Sequence, residues 1–162
     1  MPALETHDAA PEYITESAAI AHFVADSGSQ RERLLGATVG ERGRVQQWIF
    51  HSEHEIFPPV LTAARTARGL VPFVQEADDA ATAAFERVLK TVEAHLATEK
   101  YLAGTAQSSL ADFTVAGALF WAWKFWKGEE YRAQYPNVIA WYKRIIESEE
   151  AREIFGPADF KA

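Results

Sequence analysis

A helix start in the second half of the chain limits the possible folds more than any other feature. Ser109 can accept a hydrogen bond from the backbone N–H of Asp112, and the Asp112 carboxylate can accept from the N–H of Ser109. The pair matches a capping box, with Asp in place of the usual Glu or Gln. The stretch from Phe113 to Trp123 carries no charge and is apolar on every side. Such a helix is buried all round, so we predict one all-α core around it.

Composition narrows the class of protein. The chain has 162 residues, about one domain, with 48% hydrophobic residues, a net charge of −7 and no cysteine. An acidic chain does not favour a nucleic-acid or anionic-membrane surface, and the lack of cysteine excludes disulfides, thiolate metal sites and a cysteine nucleophile. The N-terminus does not match a signal peptide, and the longest uncharged apolar run is about half the ~20 residues of a membrane span. We therefore expect a soluble cytoplasmic protein with no nucleic-acid or membrane partner.

The first forty residues are predicted to form a hairpin, a short helix and a connection. The helix begins at Thr15 or Ser17 and ends before Gly28, where the composition becomes polar. The predicted parts are strands at 3–6 and 12–14, a turn at 8–11 between them, the helix, and a connection over 27–40. As domains, these correspond to 1–28, a connection at 29–40, and a helical domain at 41–162.

The remaining sequence is predicted to be helical throughout. Pro58 and Pro59 cannot donate their backbone nitrogens, so they should kink or end the first long helix. Pro136 is placed to start a later helix at its first position. The predicted helices cover 41–57, a short segment ending at Arg68, the amphipathic stretch 74–98, the capped helix from Ser109, a helix from Pro136 through Ile146, and 149–155.

Two parts of the chain, one in its second half and one at its front, resemble a known family. SLADFTVAGALFW from Ser109 and EEYRAQYPNVIAWYKRI from Glu129 resemble the C-terminal helical domain of the glutathione transferase superfamily, which carries the same Ser/Thr-x-x-Asp box. They look most like the transferase-like domain of the translation elongation factor one gamma subunit and related fungal glutathione-transferase-like proteins. PALET at Pro2 and YITESAAIA at Tyr13 resemble the end of the family's thioredoxin-like domain. The resemblance implies an all-α helical bundle preceded by a truncated thioredoxin-like hairpin and helix.

The resemblance also implies a glutathione site at the start of the first helix. In the family, the γ-glutamyl end of glutathione docks on an acidic residue followed by Ser, which here are Glu16 and Ser17. A Ser hydroxyl and free helix-start N–H groups suit a carboxylate, and the Glu16 carboxylate suits an ammonium group. Pro2 occupies the place of a family cis-proline that contacts the cysteinyl part. The alternative is that Glu16 and Ser17 are only helix caps.

The family's thiol-activating Tyr, Ser or Cys is not matched by any residue of this chain. In the family it lies on elements that precede the proline matched by Pro2, and the sequence begins at Met1. The catalytic residue is therefore expected to precede Met1. Either the sequence is incomplete, or it belongs to a reduced protein that no longer conjugates glutathione.

A pocket for the second substrate is implied between the first domain and two long helices. Aromatic residues at helical spacing can equally be core, which we favour for Trp121 and Trp141 and leave open for Trp48. Trp123, Phe125 and Trp126 are alternatively a dimer or partner surface. The pocket candidates are Trp48, His51, Ser52, Glu55, Phe120 and Lys124.

A metal site on the same helix is a weaker interpretation. His51 and His54 are three residues apart and flanked by Glu53 and Glu55. This spacing can bring two imidazoles near one ion, but the order is not H-E-x-x-H and no further ligand cluster is evident. We expect a solvated helix face and no metal.

Together, the sequence predicts a protein that conjugates glutathione to electrophilic small molecules or handles glutathione adducts. Glutathione is the expected co-substrate, a hydrophobic electrophile the second ligand, and a second copy of the chain a further partner. The context implied by the resemblance is detoxification or specialised metabolism. Two alternatives stay open, namely a non-enzymatic scaffold that binds elongation-factor subunits and a ligand-binding remnant.

Overall fold

The computed structural model describes residues 2–7 and 10–161. A short antiparallel hairpin opens the fold, with β1 at Ala3–Glu5 and β2 at Tyr13–Thr15. Leu4 lies opposite Ile14. Both predicted strands are confirmed, at slightly different lengths. The predicted turn includes Asp8 and Ala9, which lie outside the described residues.

The rest of the described chain is helical, and two helices end in π-helical turns. The elements are α1 Ser17–Ser27, α2 Arg31–Leu35, α3 Val39–His51, a π-helical segment Ser52–Ile56, α4 Phe57–Ala67, α5 Gln75–Leu96, α6 Leu110–Trp121, a second π-helical segment Ala122–Trp126, α7 Glu129–Arg132, α8 Pro136–Ile146 and α9 Arg152–Phe155. The all-α fold after a hairpin and helix is thus confirmed. The limits of the domains stay predictions.

Pro58 and Pro59 were expected to kink or to end the first long helix. They do not end it. Helical structure continues from α3 through Ser52–Ile56 into α4, where Pro58 and Pro59 lie in the first turn. The Phe57 N–H donates to the Ser52 carbonyl, five residues back. The missing proline donors fall in the first turn of α4, where the bonding pattern changes from five residues to four. The prolines therefore mark a change of helix type.

The predicted connection contains a helix of its own. α2 turns once and buries Leu35, which is 4% exposed. Gly36 then adopts φ 96°, and a Cβ there would lie 2.7 Å from the Arg42 nitrogen. Only glycine fits both this backbone and this close approach, so the segment is held more tightly than its polar composition suggested.

The core lies around α6, as the uncharged run predicts. No residue of α6 is exposed, and Trp123 and Trp141 are each 1% exposed. Trp141 is core as predicted, whereas Trp121 is only half-buried. The alternative prediction that Trp123 forms part of a dimer or partner surface was wrong, because this side chain is buried and its ring packs 5.8 Å from that of Phe85 in α5. Among the described residues, no helix has the length and apolar character needed to cross a bilayer.

Candidate functional site

Glu16 connects the hairpin to α1 with an unusual backbone. Its φ of 70° and ψ of 120° make it the one residue other than glycine with positive φ in the described chain. β2 ends at Thr15 and α1 begins at Ser17, so this residue alone connects the strand to the helix. Positive φ in a residue with a side chain costs about 1–3 kcal/mol and is concentrated at functional sites.

The start of α1 has no side-chain cap. The Glu16 carbonyl accepts from the Ile20 N–H at 2.9 Å, but no side-chain cap hydrogen bond forms at this helix start. The first N–H groups of a helix have no intrahelical acceptors. Glu16 and Ser17 are both exposed. The capping interpretation of these two residues therefore has no hydrogen bond to support it.

Pro2 lies at the same end of the hairpin. The strand register pairs Ala3 with Thr15, so Pro2 and Glu16 each adjoin one residue of this pair. The three residues predicted to bind glutathione therefore lie at one end of the hairpin. The cis bond predicted for Pro2 would join it to Met1, which lies outside the described residues.

A cavity of about 560 Å³ opens beside Glu16, between α1 and α3. Apolar side chains of both helices form much of its wall, and Phe50 is 57% exposed there. Polar groups come from His22, Asp26 and Gln46. The lining residues are Glu16, Ala18, Ala19, His22, Phe23, Asp26, Gln46, Ile49 and Phe50.

Two of the four pocket candidates between Trp48 and Glu55 have contacts with α5. The Trp48 ring lies 4.8 Å from that of His95, and Glu55 accepts from Arg87 at 3.3 Å. Trp48 is 6% and Ser52 1% exposed, so Trp48 is core. These two side chains can line an open pocket only if the helices move.

His51 is the titratable member of this group. Its ring packs edge-on 5.3 Å from Trp48, and burial lowers its pKa from 6.5, against an opposing effect of Glu55. Its Nε2 is buried and has no partner in the part of the chain that the structure describes. His54 instead is exposed and stacks on Phe50. Within residues 2–7 and 10–161, no group of three or more His, Cys, Asp or Glu side chains could hold a metal ion.

The other two pocket candidates lie at the far end of α6. The Phe120 ring is 5.9 Å from that of Phe155 in α9, and Lys124 pairs with Asp159 at 3.1 Å. Their contacts are therefore with the C-terminal segment, whereas those of Trp48 and Glu55 are with α5. The six predicted pocket residues divide into two groups with different neighbours.

The predicted cap of α6 forms, with partners that the sequence did not indicate. Asp112 Oδ2 accepts from the Ser109 N–H at 2.8 Å and from its hydroxyl at 2.9 Å. Oδ1 accepts from the Leu102 N–H at 3.0 Å and from Trp141 Nε1 at 2.9 Å. Local spacing identifies the Ser109 pair, but no short-range pattern points to Leu102 or Trp141. The cap is therefore also a link between separate segments of the fold.

Comparison with known proteins places this fold in a family. The family model of the glutathione S-transferase C-terminal domain matches residues 59–144. The chain belongs to the glutathione S-transferase family. A glutathione S-transferase-like protein of Aspergillus aculeatus is 37% identical over 158 residues, which cover 96% of this chain and 73% of that protein. The predicted resemblance to fungal transferase-like proteins is thus confirmed.

Solved structures share the fold. The glutathione S-transferase-like domain of elongation factor 1-gamma from Saccharomyces cerevisiae matches with a TM-score of 0.84 at 23% identity, over 92% of this chain and 70% of that one. Glutathione transferase URE2P6 from Phanerochaete chrysosporium, solved with oxidized glutathione, matches with a TM-score of 0.84 at 22% identity, over 96% and 71%. At these identities the similarity shows the fold alone.

Proposed function

We propose that this chain binds glutathione at Glu16 and Ser17 and serves in conjugating it to electrophilic small molecules or in handling glutathione adducts. The observation that carries the proposal is the strained Glu16 backbone at an uncapped helix start. Strain of this kind persists where the surrounding structure requires it, and it is concentrated at binding sites. Membership of the glutathione S-transferase family supports this ligand, and a transferase with the same fold was solved with oxidized glutathione.

The chemistry of the site suits the γ-glutamyl end of glutathione. Free N–H groups and the positive end of the helix dipole at the start of α1 attract a carboxylate, and the Ser17 hydroxyl can donate to it. The Glu16 carboxylate can accept from the ligand ammonium group in a charge-assisted hydrogen bond. Pro2 adjoins the Ala3–Thr15 pair at the same end of the hairpin, and its backbone groups would contact the neighbouring residue of the tripeptide.

The remaining parts of the proposal rest on the resemblance. Activation of the glutathione thiol is not assigned to any residue named above. A role in detoxification or specialised metabolism, a homodimer and a cytoplasmic location stay predictions.

Titration calorimetry with glutathione tests the proposal. We expect binding by the wild-type chain and about tenfold weaker binding by Ser17→Ala, because a hydrogen bond to a charged group is worth about 1.5–3 kcal/mol. Ser29→Ala is the matched control, since Ser29 is exposed and lies beyond the other end of α1. Equal affinity in wild type and Ser17→Ala would reject the assignment.

A second candidate is a scaffold in an elongation-factor complex. Its support is the fold match to the transferase-like domain of elongation factor 1-gamma. A pull-down with the tagged chain would recover other elongation-factor subunits under this hypothesis. If those subunits are absent while glutathione binds, the transferase proposal stands alone.

A further inference from the structure

The side chain of Lys127 lies between two aromatic rings and α5. Its Nζ is 3.9 Å from the centre of the Trp126 ring and 4.6 Å from that of the Tyr131 ring. Nζ also donates to the Thr82 hydroxyl oxygen at 2.9 Å. Lys127 directly follows the second π-helical segment, Tyr131 lies in α7 and Thr82 lies in α5. Three elements therefore meet around one amine, and we call these four residues the amine site.

The backbone of Lys127 and the neighbouring ring are held in place. The Lys127 N–H donates to the Ala122 carbonyl at 2.9 Å, and the Lys127 carbonyl accepts from Arg132 Nη1 at 2.8 Å. The Trp126 ring packs 5.1 Å from that of Phe85, which is fully buried. A group that is already positioned loses little freedom when it reacts, so less of the reaction barrier comes from orienting it.

The surroundings of Lys127 favour a neutral amine more than those of an ordinary surface lysine. Lys127 is half-buried and forms no salt bridge within the part of the chain that the structure describes. Asp78 and Glu86 lie one turn before and one turn after Thr82 on the same face of α5. Burial lowers the pKa of Lys127 and the charge of Lys161 acts in the same direction, against the opposing effects of Asp78 and Glu86. A desolvated lysine amine is a nucleophile toward carbonyl compounds.

The two rings suit the product of such a reaction as well as the amine. The faces of Trp126 and Tyr131 attract a cation, which opposes loss of the proton from the ammonium group. A protonated imine carries the same positive charge, so it can keep this contact and still donate its N–H to Thr82. Both rings are half-buried, which leaves part of each face open to stack against another aromatic group. The site therefore favours a carbonyl compound that carries a ring.

We propose that Lys127 is a covalent binding site for an aromatic aldehyde, held as an imine with its ring against Trp126. The neutral amine adds its lone pair to the carbonyl carbon while a proton passes from nitrogen to the carbonyl oxygen, which gives a carbinolamine. Nitrogen then loses its second proton to the hydroxyl group as the C–O bond breaks, so that water leaves and a C=N bond remains. The inference goes beyond the proposed function, because the amine site shares no residue with the predicted glutathione site and needs no glutathione.

Reductive trapping on the full chain tests the amine site. Sodium cyanoborohydride converts an imine formed with 2-naphthaldehyde into a stable amine, and peptide mapping by mass spectrometry locates the naphthylmethyl group. Mapping also separates this label from reaction at the N-terminal amino group. We expect about tenfold more label at Lys127 than at Lys90, because stacking adds to the advantage of a desolvated amine. Lys90 is an exposed lysine of α5 with no aromatic contact to the described chain.

A second aldehyde and two variants complete the test. Butanal has no ring, so its preference for Lys127 over Lys90 should be much smaller than that of 2-naphthaldehyde. Lys127→Arg keeps a cation against the rings and should remove this label, whereas Lys90→Arg should leave it unchanged. Ser17→Ala should also keep the label, whatever it does to glutathione binding. Circular dichroism confirms that each variant is folded.

The wild-type chain alone can overturn the inference. It is wrong if Lys127 carries no more naphthylmethyl label than Lys90, or if butanal shows the same preference for Lys127 as 2-naphthaldehyde.

Discussion

The indole N–H of Trp141 donates to Asp112 Oδ1 at 2.9 Å, which ties α8 to the first turn of α6. Asp112 is completely buried, and its carboxylate accepts four hydrogen bonds. A buried carboxylate is tolerated when every acceptor position is used. The donors come from the helix start, from the loop just before it and from α8, so one side chain holds these three segments together.

Replacing Asp112 by Asn is expected to destabilise the fold by about 2–4 kcal/mol. Asn has the same shape, but its NH₂ group would face donors on one side, and it carries no charge to attract them. Urea unfolding followed by circular dichroism measures the loss. Asp79→Asn changes an exposed carboxylate of α5 and should alter the unfolding free energy by no more than about 0.5 kcal/mol. Equal stability of Asp112→Asn and wild type would contradict a role for the four bonds.

The sequence predicted interactions between residues that are close together along the chain, and missed those between residues that are far apart. The capping pair Ser109 and Asp112 was predictable because its spacing is local. Trp141 was predicted as core but not as a donor to Asp112, because no local sequence pattern indicates which residues of distant helices meet. Glu93 shows the same limit: it appears as a surface charge on α5, yet its carboxylate accepts from the N–H groups of Asn137 and Val138 and caps α8.

The candidate site was predictable only through resemblance. Glu16 and Ser17 were identified by their match to the family, and residue preference gives no reason for positive φ at a glutamate. The strain arises because β2 and α1 follow each other with one residue between them. Such a constraint depends on where two elements dock, which the local sequence does not encode.

The stability of α3 should depend on pH through Glu41. Its carboxylate accepts from the N–H groups of Thr38 and Ala37, and these bonds lower its pKa from 4.5. A lowered folded-state pKa means that this stabilisation is present above pH 4.5 and is lost as pH falls through the folded value. Glu41→Gln keeps an acceptor without a titrating proton, so its unfolding free energy should fall less between pH 5 and 3.

Urea titrations across this pH range provide the measurement. Thr38→Ala is the control, because it removes the other half of the capping box without removing a carboxylate. It should cost about 1 kcal/mol near neutral pH. It should keep most of the acid dependence of the wild type, because the backbone N–H groups of Thr38 and Ala37 still lower the pKa of Glu41 and only the contribution of the Thr38 side chain is lost. Identical acid profiles for Glu41→Gln and wild type would rule out the linkage.

His51 should produce a pH dependence at higher pH. Burial lowers its pKa from 6.5, so the folded chain disfavours the protonated ring. The unfolded chain therefore binds more protons below pH 6.5, and stability should decline as pH falls from 6.5 toward the folded value. His51→Gln should flatten this part of the curve, measured by urea unfolding between pH 7.5 and 5. His54→Gln is the control, because it alters an exposed ring, and it should retain the wild-type slope of unfolding free energy against pH. If His51→Gln also retains that slope, the pH dependence does not come from His51.

Glu16→Gly should separate stability from binding. Glycine adopts φ 70° without steric cost, which relieves strain of about 1–3 kcal/mol, while its greater freedom in the unfolded chain costs about 0.5–1 kcal/mol. The net expectation is a fold more stable by about 1 kcal/mol. Glutathione binding should weaken, because the carboxylate that accepts from the ligand ammonium is gone.

Glu16→Gln keeps the strained backbone, so it should weaken binding without the gain in stability. Thermal unfolding and calorimetry on the same three proteins give both quantities. A Glu16→Gly variant that is less stable than wild type would show that the Glu16 backbone stores no strain.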